Sequence, residues 1–361
     1  MKKPSIRIFD VAFNLLAEID NYESLQFTQR FYRAGEFEMH ISLDKAHVDK
    51  LQKDNFILIN NQAHKNGIIQ SRQIEQDAKG IDVLVIKGPT LGGVLDRRVT
   101  VTDSYDRVRG PAETVLKHYI NNHMINPVDA NRKIPFVKNA PNMGRGRETP
   151  WQTRYEPLNK ITQEIAEFCD IGWRFDLSTK EKKAIFDVIQ GRNLSVDQDG
   201  PRVIFSREYD NIESQSYVDS DNNYKNVGYA GGKGEDEDRL VLSVGTGTGF
   251  NRREVFIDCS SAADAAELVE LGNQKLSDHK IIRTFNGMML NTGSFIFERD
   301  WDLGDIVTTQ DPKWSLTMNS RITEVKEIYE PASRIEIALG DEIPTITQFV
   351  KNLRIDVKRS G

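Results

Sequence analysis

Two stretches of the chain, one near each end, carry the same strand and turn pattern although unrelated sequence separates them. Such a duplication limits the fold more than any bulk property does. The first unit starts at Asp54 and continues through the apolar run Phe56 to Ile59, a polar turn from Asn60 to Asn66, and Ser71-Arg72-Gln73-Ile74-Glu75. It closes with Ile81 to Ile86, Lys87 and Gly88. The second starts at Asp305 and continues through Ile306 to Thr309, a turn from Gln310 to Lys313, and Ser320-Arg321-Ile322-Thr323-Glu324. It closes with Arg334 to Leu339 and Gly340. Each unit has Ser-Arg entering a strand, then an acidic residue, a polar turn and an alternating strand ended by glycine. Chance similarity is the competing explanation, because strands draw on few residue types.

A chain of 361 residues exceeds one typical core, and at about 150 residues per domain it points to two or three. Cys169 and Cys259 stand far apart with no Cys-x-x-Cys, so neither a disulfide framework nor a structural zinc site is expected. The balance of 48 basic against 54 acidic residues leaves a net charge of −6, with the basic residues dispersed. That argues against a basic nucleic-acid clamp. Arg7 and Asp10 interrupt the opening residues before any signal-peptide apolar run develops. No stretch approaches the ~18 to 20 apolar residues of a membrane span. Synthesis and folding in a reducing cytoplasm are expected.

Residues 1 to about 100 read as antiparallel strands, with Ile6 and Ile8, Leu25 and Phe27, and Phe37, Met39, Ile41 and Leu43 all at period two. Near Gly110 the period changes. Pro111 suits a first helical position, and Val115, Leu116, Tyr119 and Ile120 share one helix face reaching about His123. Leu158, Ile161, Ile165 and Phe168 predict a second helix stopped by Gly172. The Pro-, Asn- and Arg-rich connection over 126–155 is long enough to mark an interaction loop. Three hairpins are expected further on: 173–177 with 184–189, 214–218 with 224–229, and 240–244 with 254–257. Ser260 or Ser261 is expected to cap a helix lined by Ala265, Leu268, Gly272 and Leu276. Strands at 281–285 and 294–297 lead into the second unit.

Chemistry-bearing motifs are sparse. Gly245-Thr246-Gly247-Thr248-Gly249 lacks the dinucleotide glycine spacing and leads into strand, so it reads as a hairpin loop. Asp219, Asp221 and Asn223 begin like a calcium loop, but Tyr224 replaces its glycine and Ala230 its glutamate. Glu235 to Asp238 reads as a solvated charge run. His118 and His123 lie five apart and are not expected to share a helix face. No nucleophile elbow occurs. No catalytic, metal-binding or cofactor-binding residues and no small-molecule substrate are therefore expected. One local basic and aromatic cluster, Arg145, Arg147 and Arg154 with Trp151 and Tyr155, is read as a protein-contact surface.

Several runs, taken together in their order, resemble a known family. They are Lys87-Gly88-Pro89-Thr90-Leu91-Gly92-Gly93-Val94-Leu95-Asp96-Arg97-Arg98, Tyr105 to Thr114, Arg145 to Gln152, Val218 to Asp221 with Tyr224 to Tyr229, and Asp302 to Val307 with Arg321 to Val325. From Ile6 to about Ile343 the chain resembles siphophage tail-tip hub proteins, also called tail-associated proteins, whose fold is related to the central baseplate hub of contractile phages. The resemblance implies a β-rich α+β chain: two similar small antiparallel β-barrels plus an inserted mixed α/β domain. The expected division is a first barrel at 1–105, the mixed domain at 106–205 and 240–295, a second barrel at 206–239 and 296–345, and a C-terminal tail at 346–361.

The implied role is structural and non-enzymatic, that of a homotrimeric hub in the virion tail. Two like units in each of three chains would match a threefold tip to a sixfold tail and close its channel. Implied partners are further copies of the chain, distal tail, tail tube and tape-measure proteins, receptor-binding or baseplate proteins, and DNA passing through the channel. Ile81, Val83 and Val85 in the first unit and Ile335 and Ile337 in the second are expected at subunit contacts, with Arg145, Arg147, Trp151 and Arg154. Gly88, Gly92, Gly93, Gly304 and Gly340 are expected as structural turns. A tail-borne cell-wall hydrolase and a carbohydrate-binding tip module are the alternatives. Longer relatives carry C-terminal extensions for wall degradation or receptor binding, whereas Gly361 follows soon after the second unit here.

Overall fold

The computed structural model describes residues 3–76, 80–290, 293–330 and 333–341. The chain divides into two compact units, residues 1–215 with 287–337 and residues 216–286 with 338–361. The expected C-terminal tail, 346–361, lies outside the described residues.

The first unit is built in layers. A four-stranded antiparallel sheet has Leu15–Ile19, Ile6–Phe9, Phe56–Ile59 and Asn66–Ile68 in that order. Its central strand Phe56–Ile59 is apolar throughout because both faces are covered. Ile57 and Ile59 join Ile6, Ile8, Leu25, Phe27, Met39 and Ile86 in one core, while Phe56 and Leu58 join a second core shared with two helices. These are α1 (Ala112–Ile120) and α2 (Leu158–Cys169). Each fully buried Ile, Leu or Phe contributes about 1.5–3 kcal/mol. Against the helices lies a small sheet in which Lys183–Ile189 pairs with Gly172–Ser178 and with Val137–Asn139. The hairpin expected at 173–189 is therefore present.

The two repeated units meet in one large sheet. Its order includes Arg334–Gly340, of which 334–337 belong to the first compact unit, then Leu316–Tyr329, Ser24–Arg30, Glu36–Ser42, Asp82–Pro89 and Ser71–Gln76. The closing hairpin of each repeat thus lies on either side of a shared pair, Ser24–Arg30 and Glu36–Ser42. In the second repeat one long strand, Leu316–Tyr329, also pairs with Ile306–Asp311. In the first, the equivalent stretch is broken into Asn66–Ile68 and Ser71–Gln76, which belong to different sheets. The break turns a corner between sheets.

That corner corrects the expected barrels. Among the described residues no sheet closes; the strand orders are open paths with free ends. The coarser expectation, a β-rich α+β chain of antiparallel sheets, holds. Repeat strands that share one continuous sheet have no separate barrels to close.

The second unit holds a three-stranded sheet with order Val241–Gly245, Val227–Gly231, Glu254–Asp258, covered by α3 (Ala265–Leu276). Two expected hairpins are overturned here. Val227–Gly231 inserts between the strands at 241–245 and 254–258, antiparallel to one and parallel to the other, instead of pairing with 214–218. Gly272 lets α3 approach Ala230, since a Cβ at this glycine would lie 2.8 Å from that of Ala230, and Ala230 and Leu268 share a common core. Three further local readings change. Asp264 caps α3 by accepting from Glu267 N at 2.9 Å, and Ala263 N donates to Glu267 Oε2 at 2.6 Å, so Ser260 and Ser261 are not the caps. Asp170, at φ +53°, ends α2 ahead of Gly172, which already lies in strand. Residues 294–297 form no strand; Phe297 makes an isolated bridge with Trp301.

Candidate functional site

The basic and aromatic cluster folds around the start of α1. Asp106–Pro111 and Glu148–Thr153 form an antiparallel ribbon, and Ala112 N and Glu113 N donate to the carbonyls of Arg147 and Arg145 at 3.0 Å each. The 126–155 connection is thereby drawn against the helix. Glu113 is wholly buried and accepts from Lys117 Nζ at 2.5 Å and from Arg145 N, Nε and Nη2 at 2.8, 3.0 and 2.8 Å. Lys117 also donates to Asp187 at 3.0 Å, and Arg145 reaches the same carboxylate. Burial alone would raise the Glu113 carboxyl; the hydrogen bonds from Arg145 and Lys117 outweigh it and hold the group far below the ordinary carboxylate range. Arg145 is therefore held inside the chain as the counter-ion of a buried network.

Arg147 and Arg154 are exposed. The Arg147 guanidinium lies 4.0 Å from the Phe168 ring centroid and donates to the Phe168 carbonyl. Trp151 packs on the same ring, with centroids 6.1 Å apart. Arg154 lies over Tyr155 at 5.1 Å. The surface part of the cluster is thus the Arg147, Phe168 and Trp151 stack together with Arg154, and it excludes Arg145.

The expected strand contacts separate by burial. Val85, Ile335 and Ile337 are buried within the chain, Val83 is half-buried, and Ile81 is 42% exposed. Sequence reasoning passed over the neighbouring strand. Ser71–Gln76 is exposed at every position, pairs through Asp82–Pro89, and ends the large sheet. Ile74, 61% exposed, sits in its middle. The signal was available in Ser-Arg-Gln-Ile-Glu-Gln, which carries a lone apolar residue among polar ones. Among the described residues no strand pairs with its outer edge, and such an edge is a template for strand addition.

Of the glycines, Gly88 is required by close approach, since a Cβ there would lie 1.8 Å from the Ile68 carbonyl oxygen. Gly304 is required twice over: its φ is +89° and a Cβ would lie 2.3 Å from Phe31. Gly92 and Gly93 are buried in a 3-10 turn, Leu91–Arg97, and Gly340 ends its strand at φ +83°.

His118 and His123 converge, contrary to expectation. The helix continues past Ile120 as a π turn, Asn121–Ile125, in which Asn126 N donates to Asn121 O at 2.7 Å. The wider turn brings residues five apart onto one face. Their Nε2 atoms stand 2.7 and 3.3 Å from the two oxygens of Asp106. Burial would raise that carboxyl, but the two imidazoles together hold it well below the usual range. Tyr119 donates to the Asp106 carbonyl at 3.1 Å, so the cluster ties α1 to the ribbon. Among the described residues no group of three His, Cys, Asp or Glu side chains is disposed to hold a metal ion, and no helix is long and apolar enough to cross a membrane.

Residues 5–341 match the family described as Siphovirus ReqiPepy6 Gp37-like protein. The chain belongs to this family. No curated protein matches it. Solved structures show the same fold in phage tail proteins. The tail protein from Neisseria meningitidis MC58 is 14% identical, with a TM-score of 0.59 over 94% of this chain and 97% of that one. The 43 kDa tail protein of prophage MuSo2 from Shewanella oneidensis is 12% identical, with a TM-score of 0.59 over 93% and 97%. The prophage tail protein gp18 from Listeria monocytogenes EGD-e is 12% identical, with a TM-score of 0.54 over 98% and 99%. The family member thus has the fold of phage tail proteins along nearly its whole length.

Proposed function

We propose that this family member is a non-enzymatic structural protein of a phage tail, a homotrimeric hub at the distal tip that fits a threefold tip to a sixfold tube and closes the channel. The observation that carries the reading is the repeat: two hairpins of like sequence flank a shared strand pair in one sheet. Two such units per chain become six in a ring of three, so each can meet one subunit of a sixfold tube. The edge at Ser71–Gln76 supports self-assembly, because strand addition to a different surface of the next copy is a heterologous contact, which forms a ring of three when each step turns by a third of a circle. The Arg147, Phe168 and Trp151 stack, with Arg147 exposed and both rings half-buried, is the second contact surface, facing distal tail or baseplate proteins. Tail tube and tape-measure proteins above and DNA in the channel complete the proposed partners.

Light scattering over a concentration series tests the assembly. The expected mass is three times the 41.2 kDa of one chain. Ile74→Pro, which blocks the edge without touching the core, is expected to yield a folded monomer. A stable dimer, or a trimer that Ile74→Pro leaves intact, overturns the reading. Purified protein is expected to leave isolated cell walls undigested; release of soluble wall fragments would restore the hydrolase alternative.

A further inference from the structure

A cavity of about 540 Å³ opens in the first unit, beside the start of the chain and the segment preceding the second repeat. Its size suits a single side chain with its flanking backbone, or a small ligand. Lys65, almost wholly buried, stands in the wall between two carboxylates, 2.9 Å from Glu298 Oε1 and 2.8 Å from Glu327. Lys3 and Asp20 add one charge of each sign to the lining, so the wall is negative on balance. Gln62 Nε2 donates to Glu298 Oε2 at 2.9 Å, and Tyr329 donates to Glu327 Oε2 at 2.5 Å.

Two buried polar atoms of residues on this wall have no hydrogen-bond partner among the described residues, the indole N–H of Trp301 and Gln62 Oε1. One is a donor and the other an acceptor, and Trp301 is only 1% exposed. Phe297 packs on Trp301 with centroids 4.8 Å apart and already carries the Lys65 ammonium 5.3 Å from its ring centroid. Glu298 is held at φ +64°, where a long side chain is rare. Backbone in this region persists where the surroundings over-determine it, as they do in ligand clamps.

We propose that this cavity binds a cationic side chain, guanidinium or ammonium, presented by another polypeptide together with an adjacent backbone carbonyl. The excess carboxylate attracts the cation. Gln62 Oε1 accepts from it, and the Trp301 N–H donates to the carbonyl. The proposal stands on the cavity alone and is independent of the trimeric hub.

Calorimetric titration of the full chain tests it with Nα-acetyl-arginine methylamide, the isosteric citrulline derivative, and spermidine as a free polyamine. The arginine derivative is expected to bind with a constant of about 1 mM or tighter. Citrulline should bind about tenfold more weakly, and Glu298→Gln should weaken arginine binding about tenfold, for loss of a charged hydrogen bond. Trp301→Phe keeps the ring and removes the donor, so the arginine derivative should lose about fivefold while spermidine, which has no carbonyl, is unaffected. Should Glu298→Gln fold poorly, the comparison of arginine with citrulline on the unaltered chain decides alone. Equal binding of citrulline, or absence of binding by the arginine derivative, overturns the proposal. So does tighter binding of spermidine than of arginine, or a preference for a neutral sugar such as N-acetylglucosamine.

Discussion

Replacing Glu113 by glutamine tests whether the charge network at the start of α1 holds the first unit together. The substitution keeps the shape and removes the charge that faces Lys117 and Arg145. Of the four donors now aimed at the carboxylate, glutamine's single acceptor oxygen can keep at most two, and its amide turns a donor toward donors. Breaking a buried pair on one side costs 3–5 kcal/mol. Arg145 retains some access to water and Asp187 remains for both cations, so the low end applies, about 3 kcal/mol. For a unit of this size that lowers the melting temperature by about 6–12 °C. All four tryptophans, Trp151, Trp173, Trp301 and Trp314, lie in the first unit, so indole fluorescence reports its unfolding without the second. Adding Lys117→Met should recover about half of the loss, because the stranded ammonium is removed. A Glu113→Gln protein within about 1 kcal/mol of the parent, or a double variant as unstable as the two singles summed, refutes the reasoning.

Acid should act through the same carboxylates. Glu113, Asp106 and Glu298 are all depressed, Glu298 to about 2 where hydrogen bonds from His64, Lys65 and Gln62 and the Lys65 charge outweigh burial. Their stabilisation is complete above the unfolded value of about 4.3 and is lost as pH falls toward 2, so the tryptophan-detected midpoint should drop steeply between about pH 4.5 and 2; a flat profile there would count against the network. Gly304→Ala should cost about 3 kcal/mol, from strain at φ +89° and the clash with Phe31, and a stability equal to the parent's in urea would contradict this. Arg145→Met and Arg147→Met should separate, the first losing about 2–3 kcal/mol with the buried Glu113 charge and the second under about 1 kcal/mol with an exposed stack; equal losses would remove the distinction between internal and surface arginines.

What could be read from the sequence was local. Alternation over Phe37 to Ile41 and the run Phe56 to Ile59 announced strands and their buried faces, and the spacing of Leu158, Ile161 and Ile165 announced α2, because side-chain period follows from backbone geometry. The repeat was legible for the same reason, as two stretches of like pattern. The surface stack of Arg147 and Trp151 was legible only as composition, and Arg145 was counted with it because its partners, the buried Glu113 on α1 and Asp187 in a distant strand, are brought to it only by folding. The tertiary structure alone decided which strands pair. Period two marks faces and carries no partner, so nothing local told Val227–Gly231 to insert between 241–245 and 254–258, or told both repeats to share one open sheet. The convergence of His118 and His123 on Asp106 depended on a π turn that only packing against the ribbon selects. The cavity around Lys65 depended on Glu298 and Glu327, carboxylates more than two hundred residues away that folding brings within 3 Å. Those contacts are non-local, and a single sequence specifies them only through the whole fold.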